Sequence, residues 1–341
     1  MTNQKVTIKE IAREAGVSTQ TVSRVINNRP DVAPATRQRV QTVINRWQYQ
    51  PSQVARSLTL GKSNNIGVVI SGLPQIGPTK LLTGAEAKTR ELGYTISLSL
   101  IHDTSEKSID LALNQMLSSR VDGLFWASTP TEDDDSNYLI DRLSQLPFPV
   151  VVNGVKPMTP LAFNEIDNRY GGRIATQHLL EKGYKKIGII TGPMNEWSAK
   201  ERLAGWRVAL SQSNSSFDDS LIFYGDWSPA SGAKGLYSLC ERHPDLDAIF
   251  VSNDQMALGV MNSAHALNKR IPEDLGVVGF DNIPESAFFI PPLTTVQQNM
   301  SQSAAMAVSE LVRLIKAKAE HLPSDPTIQI VKPQLIVRES S

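Results

Sequence analysis

The stretch IKEIAREAGVSTQTVSRVIN, residues 8–27, decides the fold of the amino-terminal region. Its second half, wound as a helix, places Val17, Val22, Val25 and Ile26 on one side, at the spacing of a buried stripe. The opposite side carries short hydroxyls, amides and one arginine: Thr19, Gln20, Ser23, Arg24 and Asn27. Most surface helices carry flexible Lys and Glu there, whereas these side chains form directed hydrogen bonds. The polar face therefore predicts contact with a specific partner.

The same stretch has the start and stop signals of two helices joined by a tight turn. Thr7 and Glu10 have the spacing of a capping box, Gly16 suits a left-handed helix end, and Ser18 can cap the second helix. This pattern predicts a helix-turn-helix, in which the second helix enters the major groove of DNA. Gln20 can pair with an adenine edge, and Arg24 with guanine or phosphate. An αα-hairpin that only packs is the alternative. Residues 33–49, with Pro34 in the first turn, predict a third helix.

The charge of the chain is distributed unevenly. Residues 1–62 contain ten Lys or Arg and three Asp or Glu, a net charge of +7, while the other residues carry −7. A basic module on an acidic body indicates a polyanionic partner for the module, and a merely solvated basic surface is the alternative.

Length and composition indicate a soluble protein of two or three domains. The 341 residues exceed one small core, and no apolar run approaches the ~20 residues of a membrane span. The first residues, MTNQKVTIKE, lack the apolar segment of a signal peptide. The chain has one cysteine, Cys240, which excludes an internal disulfide framework. We therefore expect a cytoplasmic protein that does not bind membranes.

From Ile66 onward, apolar β-runs alternate with helical segments. IGVVI, TISLSL, DGLFWA and PVVVN form a first series, and after about Asp167 the scheme restarts with KKIGIIT, LIFYGDW, AIFVS and GVVGF. Strands with helical crossovers predict parallel sheets covered on both faces, and two series predict two similar lobes. Because ligands of such sheets bind beyond the carboxyl ends of the strands, we expect a ligand cleft between the lobes.

The segment VTIKEIAREAGVSTQTVSRVINNRPDVAPATRQRVQTVINRWQYQPSQVARSL, residues 6–58, resembles the DNA-binding region of the LacI/GalR family. The resemblance implies that the helix after Gly16 reads the major groove. It also implies a hinge after Tyr49-Gln50-Pro51 that folds against the minor groove, where Leu58 wedges between base pairs. The implied DNA-binding residues are Thr7, Ser18, Thr19, Gln20, Thr21, Ser23, Arg24, Asn27, Arg29, Thr36, Ser52, Gln53, Ala55 and Leu58.

The resemblance extends through the body to the sugar-binding core of the same family, which is similar to periplasmic binding proteins. The segments SAKERLAGW, GDWS, SNDQMALG and IPPLTT are most similar to the lac repressor branch. The implied ligand-binding residues are Ser71, Asn153, Phe163, Ser198, Arg202, Trp227, Asn253, Asp281 and Gln298. Their chemistry suits a sugar, because Asp, Asn and Arg pair with vicinal hydroxyls and an aromatic ring covers the apolar face of a pyranose.

The expected architecture is a small all-α helix-turn-helix domain followed by an α/β periplasmic-binding-protein-like core of two doubly wound parallel-sheet lobes. We expect the DNA-binding domain at residues 1–50, the hinge and linker at 51–62 and the core at 63–341. The first lobe would comprise about 63–166 and 296–325, and the second about 167–295 and 326–341.

The expected function is a sugar-released, homodimeric repressor of a sugar-utilisation operon that binds a pseudo-palindromic operator in the nucleoid. A regulator whose small ligand promotes DNA binding, and a sugar-transport binding protein, are the alternatives. Five scattered histidines lack metal-ligand spacing, and no nucleophile elbow occurs. The acidic run at 132–135 is typical of a solvated loop. We therefore expect neither an enzyme nor a bound metal or cofactor.

Overall fold

The computed structural model describes residues 6–49, 62–128, 135–154, 161–213 and 218–341. Contacts divide the chain into two compact units, Met1–Asn64 and Asn65–Ser341. We describe each unit by itself.

In the first unit, the described residues 6–49 form three helices with their own core. The helices are α1 (Ile8–Ala15), α2 (Thr19–Ile26) and α3 (Pro34–Arg46). Gly16 ends α1 with φ +62°, the left-handed conformation that its place in the sequence predicts. The Ser18 hydroxyl accepts a hydrogen bond of 3.1 Å from the Thr21 amide and so caps α2. Apolar side chains of all three helices form the core: Ile11, Ala12, Ala15, Val22, Val25, Val32, Val40 and Val43.

The second unit alternates strands and helices along the chain. Its strands are β1 (Asn65–Ile70), β2 (Thr95–Leu100), β3 (Gly123–Trp126), β4 (Val150–Asn153), β5 (Ala162–Ile166), β6 (Ile187–Thr191), β7 (Ile222–Tyr224), β8 (Ala248–Val251), β9 (Gly276–Phe280), β10 (Thr294–Gln297), β11 (Ile328–Val331) and β12 (Gln334–Ile336). Its helices are α4 (Ile76–Glu91), α5 (Glu106–Ser118), α6 (Asp135–Ser144), α7 (Asn168–Glu181), α8 (Trp197–Gln212), α9 (Pro229–Arg242), α10 (Asp254–Ala266) and α11 (Met300–Ala319).

The strands form two six-stranded sheets, one in each lobe. The first sheet has the order β11-β5-β4-β3-β1-β2, and the second has the order β12-β10-β9-β8-β6-β7. The described pairs are parallel except β12, which runs antiparallel to β10. The central strands are apolar on both faces because helices cover both sides, as alternating strands and helices predict. This architecture confirms the expected fold class.

The carboxyl-terminal tail differs from the expected lobe assignment. We assigned residues 326–341 to the second lobe, but β11 pairs with β5 of the first sheet and only β12 belongs to the second. The helix α11 packs on the first lobe, so the chain adds one edge strand there before it returns. A short, half-exposed edge strand has too little apolar pattern to indicate its sheet.

Two glycines let α7 and α8 approach closely beside the cleft. A Cβ added to Gly172 would lie 2.2 Å from the Arg202 carbonyl oxygen, and one added to Gly205 would lie 2.2 Å from that of Arg169. Because backbone meets backbone here, larger side chains would separate the helices. The crossing therefore sets the position of Ser198 and Arg202 on α8.

Across the described ranges, no helix has the length and apolarity that a bilayer crossing requires. In the same residues, no group of three or more His, Cys, Asp or Glu side chains is arranged to hold a metal ion.

Candidate functional site

The helix α2 presents the polar face that the sequence predicts. Val22 and Val25 are buried in the three-helix core, while Thr19, Gln20 and Arg24 on the other side are exposed. The Arg24 guanidinium lies 3.4 Å from the Asp31 carboxylate, a surface ion pair of little energetic value. This pair leaves the arginine available to exchange its partner for a phosphate or a base.

The other predicted DNA-binding residues fall into three groups. Ser18 caps α2 and is hydrogen-bonded to Thr21, and Thr7 precedes α1 with its amide donating to the Glu10 carboxylate at 2.7 Å. The other exposed or half-exposed positions are Ser23, Asn27, Arg29 and Thr36, of which Asn27 is the C-cap residue of α2. The hinge predictions lie outside the described residues: Ser52, Gln53, Ala55 and Leu58.

The second unit contains a cleft between the carboxyl ends of the two sheets. It encloses about 830 Å³ of empty space, part of which is open to solvent, a size typical of small-molecule sites. Residues that follow strands of both lobes line it, together with the first turns of α4 and α8. Seven of the predicted ligand-binding residues are among them: Asn153, Ser198, Arg202, Trp227, Asn253, Asp281 and Gln298.

Arg202 is the buried cation of the cleft. Its guanidinium is 4% exposed and donates to the Asn168 Oδ1 at 2.9 Å and to the Ser252 carbonyl at 2.5 Å. It lies 3.8 Å from the Phe280 ring centroid and 4.0 Å from an Asp281 oxygen. Burial lowers the pKa of Arg202, while the nearby carboxylates, Asp281 first, oppose that shift. The arginine is therefore held rigidly in a fixed orientation.

Asp281 follows β9 and is held by two groups of the second lobe, Gln298 and Arg202. The Gln298 Nε2 donates to its Oδ1 at 2.5 Å, and its backbone φ of +110° is unusual for an aspartate. Such strained positions concentrate at functional sites. Burial raises the pKa of the Asp281 carboxyl, and Arg202 opposes this. The side chain presents a fixed acceptor beside a fixed donor fork, a suitable pair for vicinal hydroxyls.

Asp254 lies behind Asp281 and has a structural role. It is fully buried, accepts from the Thr295 hydroxyl at 2.6 Å and from the Ile283 amide at 2.9 Å, and does not line the cleft. Burial, with the Asp281 charge, raises its pKa to about 7.

Trp227 supplies the aromatic wall of the cleft. Its indole is 9% exposed, its backbone φ is +70°, and its Nε1 donates to the Glu196 carboxylate at 2.9 Å. Asn253 caps α10, accepting from the Met256 amide at 2.8 Å, and its Nδ2 donates to the Trp227 carbonyl at 3.1 Å. Asn253 therefore caps α10 and also holds the tryptophan.

Two of the predicted ligand-binding residues do not line the cleft. The prediction for Phe163 is wrong in position: its ring is 2% exposed and packs in the core of the first lobe, near the start of β5 rather than at its carboxyl end. Ser71 follows β1, but its hydroxyl lies 2.7 Å from that of Ser128 and outside the cleft lining.

The sequence reasoning missed six polar residues of the cleft: Gln75, Glu165, Asn168, Glu196, Trp197 and Gln255. Glu165 is the penultimate residue of β5, Asn168 begins α7, and Glu196 directly precedes α8, which begins at Trp197. The Trp197 Nε1 donates to the Glu165 Oε1 at 3.0 Å, which joins the two lobes. The placement of Glu165 and Asn168 at the end of a buried β-run was a usable indication, because that is where parallel sheets bind ligands.

Comparison with known proteins agrees with this architecture. Residues 7–52 match the family model of bacterial regulatory proteins of the lacI family, and residues 176–341 match that of the periplasmic binding protein-like domain. The HTH-type transcriptional repressor PurR of Mannheimia succiniciproducens is 32% identical over 335 residues, 98% of each chain. The protein of that name from Haemophilus influenzae strain PittEE is 33% identical over 336 residues, again 98% of each.

Solved structures are similar over nearly the whole chain. The lac repressor dimer bound to operator and the anti-inducer ONPF has a TM-score of 0.89 and 29% identity, covering 99% of both chains. The transcriptional regulator CelR in complex with cellobiose has a TM-score of 0.72 and 29% identity, covering 98% of this chain and 100% of that one.

A helix-turn-helix domain joined to a two-lobed core with a cleft defines a class of ligand-responsive DNA-binding regulators. Within that class, the chain belongs to the lacI family of bacterial regulatory proteins. It is a DNA-binding transcriptional repressor of this family.

Proposed function

We propose that this protein is a cytoplasmic, homodimeric repressor of a sugar-utilisation operon, and that a sugar bound in the cleft releases it from its operator. The observation that carries the sugar assignment is the composition of the cleft: one tryptophan face, Trp227, surrounded by hydrogen-bonding side chains at strand ends. A pyranose has an apolar face and a rim of hydroxyl groups, and it needs both kinds of partner.

The operator assignment rests on α2. Its exposed Thr19, Gln20 and Arg24 have the chemistry that reads base edges, and the basic charge of residues 1–62 supplies affinity for phosphates. A dimer places two such helices with two-fold symmetry, so the operator is pseudo-palindromic. The dimeric lac repressor structure supports this stoichiometry by similarity.

Release requires that the sugar bind the two conformations of the core unequally. Because Glu165 and Trp197 come from opposite lobes, a ligand that contacts both side chains favours one lobe arrangement. A thousandfold loss of operator affinity needs roughly 4 kcal/mol of coupling, which several hydrogen bonds to a sugar can supply. No chemical step is involved, and we propose that the protein is not an enzyme.

A purine is the second candidate effector, because curated relatives are named PurR. In that case the ligand promotes DNA binding instead of releasing it. The cleft supports this less well: a purine offers two or three N–H donors, whereas acceptor oxygens of Glu165, Glu196, Asp281 and Gln298 line the space. A sugar-transport binding protein is not favoured, because the helix-turn-helix would have no role in it.

A gel-shift assay tests the proposal directly. The purified chain is incubated with DNA from upstream of the neighbouring operon, alone and with β-galactosides, glucosides, cellobiose, hypoxanthine or guanine. We expect a shift without ligand that one class of saccharide abolishes. A shift that appears only with hypoxanthine or guanine would replace the proposal with the purine alternative. If unrelated competitor DNA displaces the protein as well as the operator fragment does, both the sugar and the purine proposals are contradicted.

A further inference from the structure

The side chains that line the cleft carry an excess of negative charge. Among the described lining residues, the acids are Glu165, Glu196 and Asp281, and the base is Arg202. Arg202 is already engaged by Asn168, Ser252 and the nearby Asp281. The closest carboxylate to Arg202 is that of Asp281, and the Arg202 charge only partly offsets that of Glu196, which leaves the lining with a net negative charge.

These two carboxylates are held in place by indoles. The Trp197 Nε1 donates to the Glu165 Oε1 at 3.0 Å, and the Trp227 Nε1 donates to the Glu196 Oε1 at 2.9 Å. Glu165 is the penultimate residue of a strand of the first sheet, whereas Glu196 precedes α8 of the second lobe. Each indole orients its carboxylate by one oxygen, so the other oxygen of each remains for a ligand. The pair therefore faces one ligand from both lobes.

Two residues of the cleft lining carry buried acceptor oxygens that are not hydrogen-bonded within the described part of the chain. Gln298 is 5% exposed and lines the cleft, and its Oε1 has no hydrogen-bond partner among the residues that the structure describes. The Asn153 Oδ1, also in the lining, is without a partner in the same residues. Buried acceptors of this kind are costly unless a ligand supplies donors. The cleft therefore suits a ligand rich in O–H or N–H groups.

We propose that Glu165 and Glu196 determine the specificity of the effector site, accepting hydrogen bonds from hydroxyl groups of an unphosphorylated, uncharged saccharide and excluding saccharides that carry phosphate or carboxylate groups. This inference rests on the proposed function, because it names the class of sugar that the same cleft binds. Trp197 and Trp227 act as positioning residues for the two carboxylates.

The exclusion of anionic saccharides follows from repulsion between like charges. Burial raises the pKa of both carboxyls, and their indole hydrogen bonds oppose the shift by favouring the ionised form. An added phosphate would bring a like charge within several ångströms of at least one carboxylate in a partly enclosed cleft. At an effective dielectric constant near 20, two unit charges of one sign about 6 Å apart reduce affinity roughly 100-fold.

Titration calorimetry on the full chain tests the inference. Each neutral probe is paired with anionic derivatives, so that the result does not depend on which end of the sugar enters: glucose with its 1- and 6-phosphates, and galactose with galactose 1-phosphate and galacturonate. Cellobiose and lactose extend the neutral set. The variants are Glu165→Gln, Glu196→Gln and the double substitution, in which the amide oxygen still accepts from the indole. Glu86→Gln, which removes a half-exposed surface carboxylate on α4, is the matched control.

We expect the native chain and the Glu86→Gln variant to bind a neutral probe at least about 30-fold more tightly than its anionic derivatives. In the double variant we expect the affinity for the neutral probe to fall. The ratio of the affinity for the neutral probe to that for its anionic derivative drops below about 5-fold. Trp197→Phe deletes the indole N–H but keeps an aromatic ring. We expect this variant to lower the ratio of neutral to anionic affinity, but by less than the double variant does. A merely structural role of Trp197 would lower both affinities by the same factor.

The outcomes separate this inference from the proposed function. A native chain that binds neutral and phosphorylated sugars equally, or a ratio that the double variant preserves, would overturn the inference while leaving a sugar effector intact. Binding of hypoxanthine or guanine with no saccharide bound would overturn the proposed function itself. Thermal unfolding of each variant verifies that altered binding comes from a folded protein.

Discussion

At the scale of single residues, the cleft depends on charged side chains that protein hydrogen bonds hold in place before a ligand enters. Arg202 donates to a side chain and a carbonyl of its own lobe, and Asp281 accepts from Gln298. Such prior placement reduces the entropy lost on binding, so the hydrogen bonds to a ligand retain more of their free energy.

Replacement of Arg202 separates its binding role from its packing role. We expect Arg202→Ala to abolish the response to sugar and also to destabilise the core by about 3 kcal/mol, because it leaves Asp281 without its nearby cation. Arg202→Lys retains the positive charge but not the planar guanidinium with its paired donors. Relative to Arg202→Ala, we expect it to restore the stability of the core more than the release from operator by sugar. Gel shifts with sugar and thermal unfolding measure the two effects. An alanine variant that is still released from operator by sugar would contradict the role assigned to Arg202.

Asp254 makes the stability of the core depend on pH. Its pKa of about 7 lies above the value of 3.8 for an ordinary aspartate, so its stabilising contribution is complete below about pH 4 and is lost as the pH rises through 7. Asp254→Asn imitates the protonated form. We expect the native chain to lose about 1–3 kcal/mol relative to this variant between pH 5 and pH 8. Unfolding midpoints at both pH values measure the difference, and parallel pH profiles would show that Asp254 is already ionised or does not titrate.

At the scale of elements, helix crossings and strand ends place the site. The residues of the cleft lie at or after the carboxyl ends of strands of both sheets, or in the first two turns of the helices that follow them. The helix α8 carries both Ser198 and Arg202, so its distance from α7 matters for binding as well as for stability.

A methyl group at Gly205 would disturb that crossing. An added Cβ lies 2.2 Å from the Arg169 carbonyl oxygen and 2.6 Å from the Arg173 amide nitrogen, so the two backbones must move apart. We expect Gly205→Ala to destabilise the core by about 2–3 kcal/mol and to weaken sugar binding. Gly77→Ala is the stability control, since its nearest neighbour is the Met300 methyl at 3.5 Å. Equal unfolding midpoints for the two variants would contradict the tight crossing.

At the scale of the whole molecule, opposite charges divide the two functions. The +7 of residues 1–62 serves a polyanion, whereas the −7 of the other residues surrounds a cleft that we propose excludes anions. Under this proposal the acidic lining of the cleft disfavours phosphate groups, so DNA phosphates do not compete for the effector site.

The basic amino-terminal region predicts strong dependence of DNA binding on salt. We expect operator affinity to fall roughly 10³-fold between 50 and 200 mM salt, because phosphate contacts release counterions. Sugar affinity, set by buried hydrogen bonds, should change by less than about 2-fold over that range. Fluorescence anisotropy with labelled operator and calorimetry with sugar measure these slopes. An operator affinity that does not change with salt concentration would contradict the electrostatic role of residues 1–62.

Much of this protein follows from sequence alone. The caps at Thr7 and Ser18, the left-handed end at Gly16 and the apolar stripe of α2 depend on local spacing, so they predict the helix-turn-helix directly. The alternation of apolar runs and helices predicts the parallel sheets and two lobes for the same reason. Seven of the nine expected ligand-binding positions line the cleft, because each lies at or after the end of a strand or in the first two turns of a helix there.

Other features depend on contacts between residues far apart in the chain, which spacing does not encode. The tertiary structure decided that Phe163 is core while Glu165, two residues later, reaches the cleft, and that β11 returns to the first sheet. It also decided that Trp197 of one lobe orients Glu165 of the other. Local sequence determines which segments become helices and strands. Burial and strand pairing between distant parts of the chain determine which side chains lie together in the cleft.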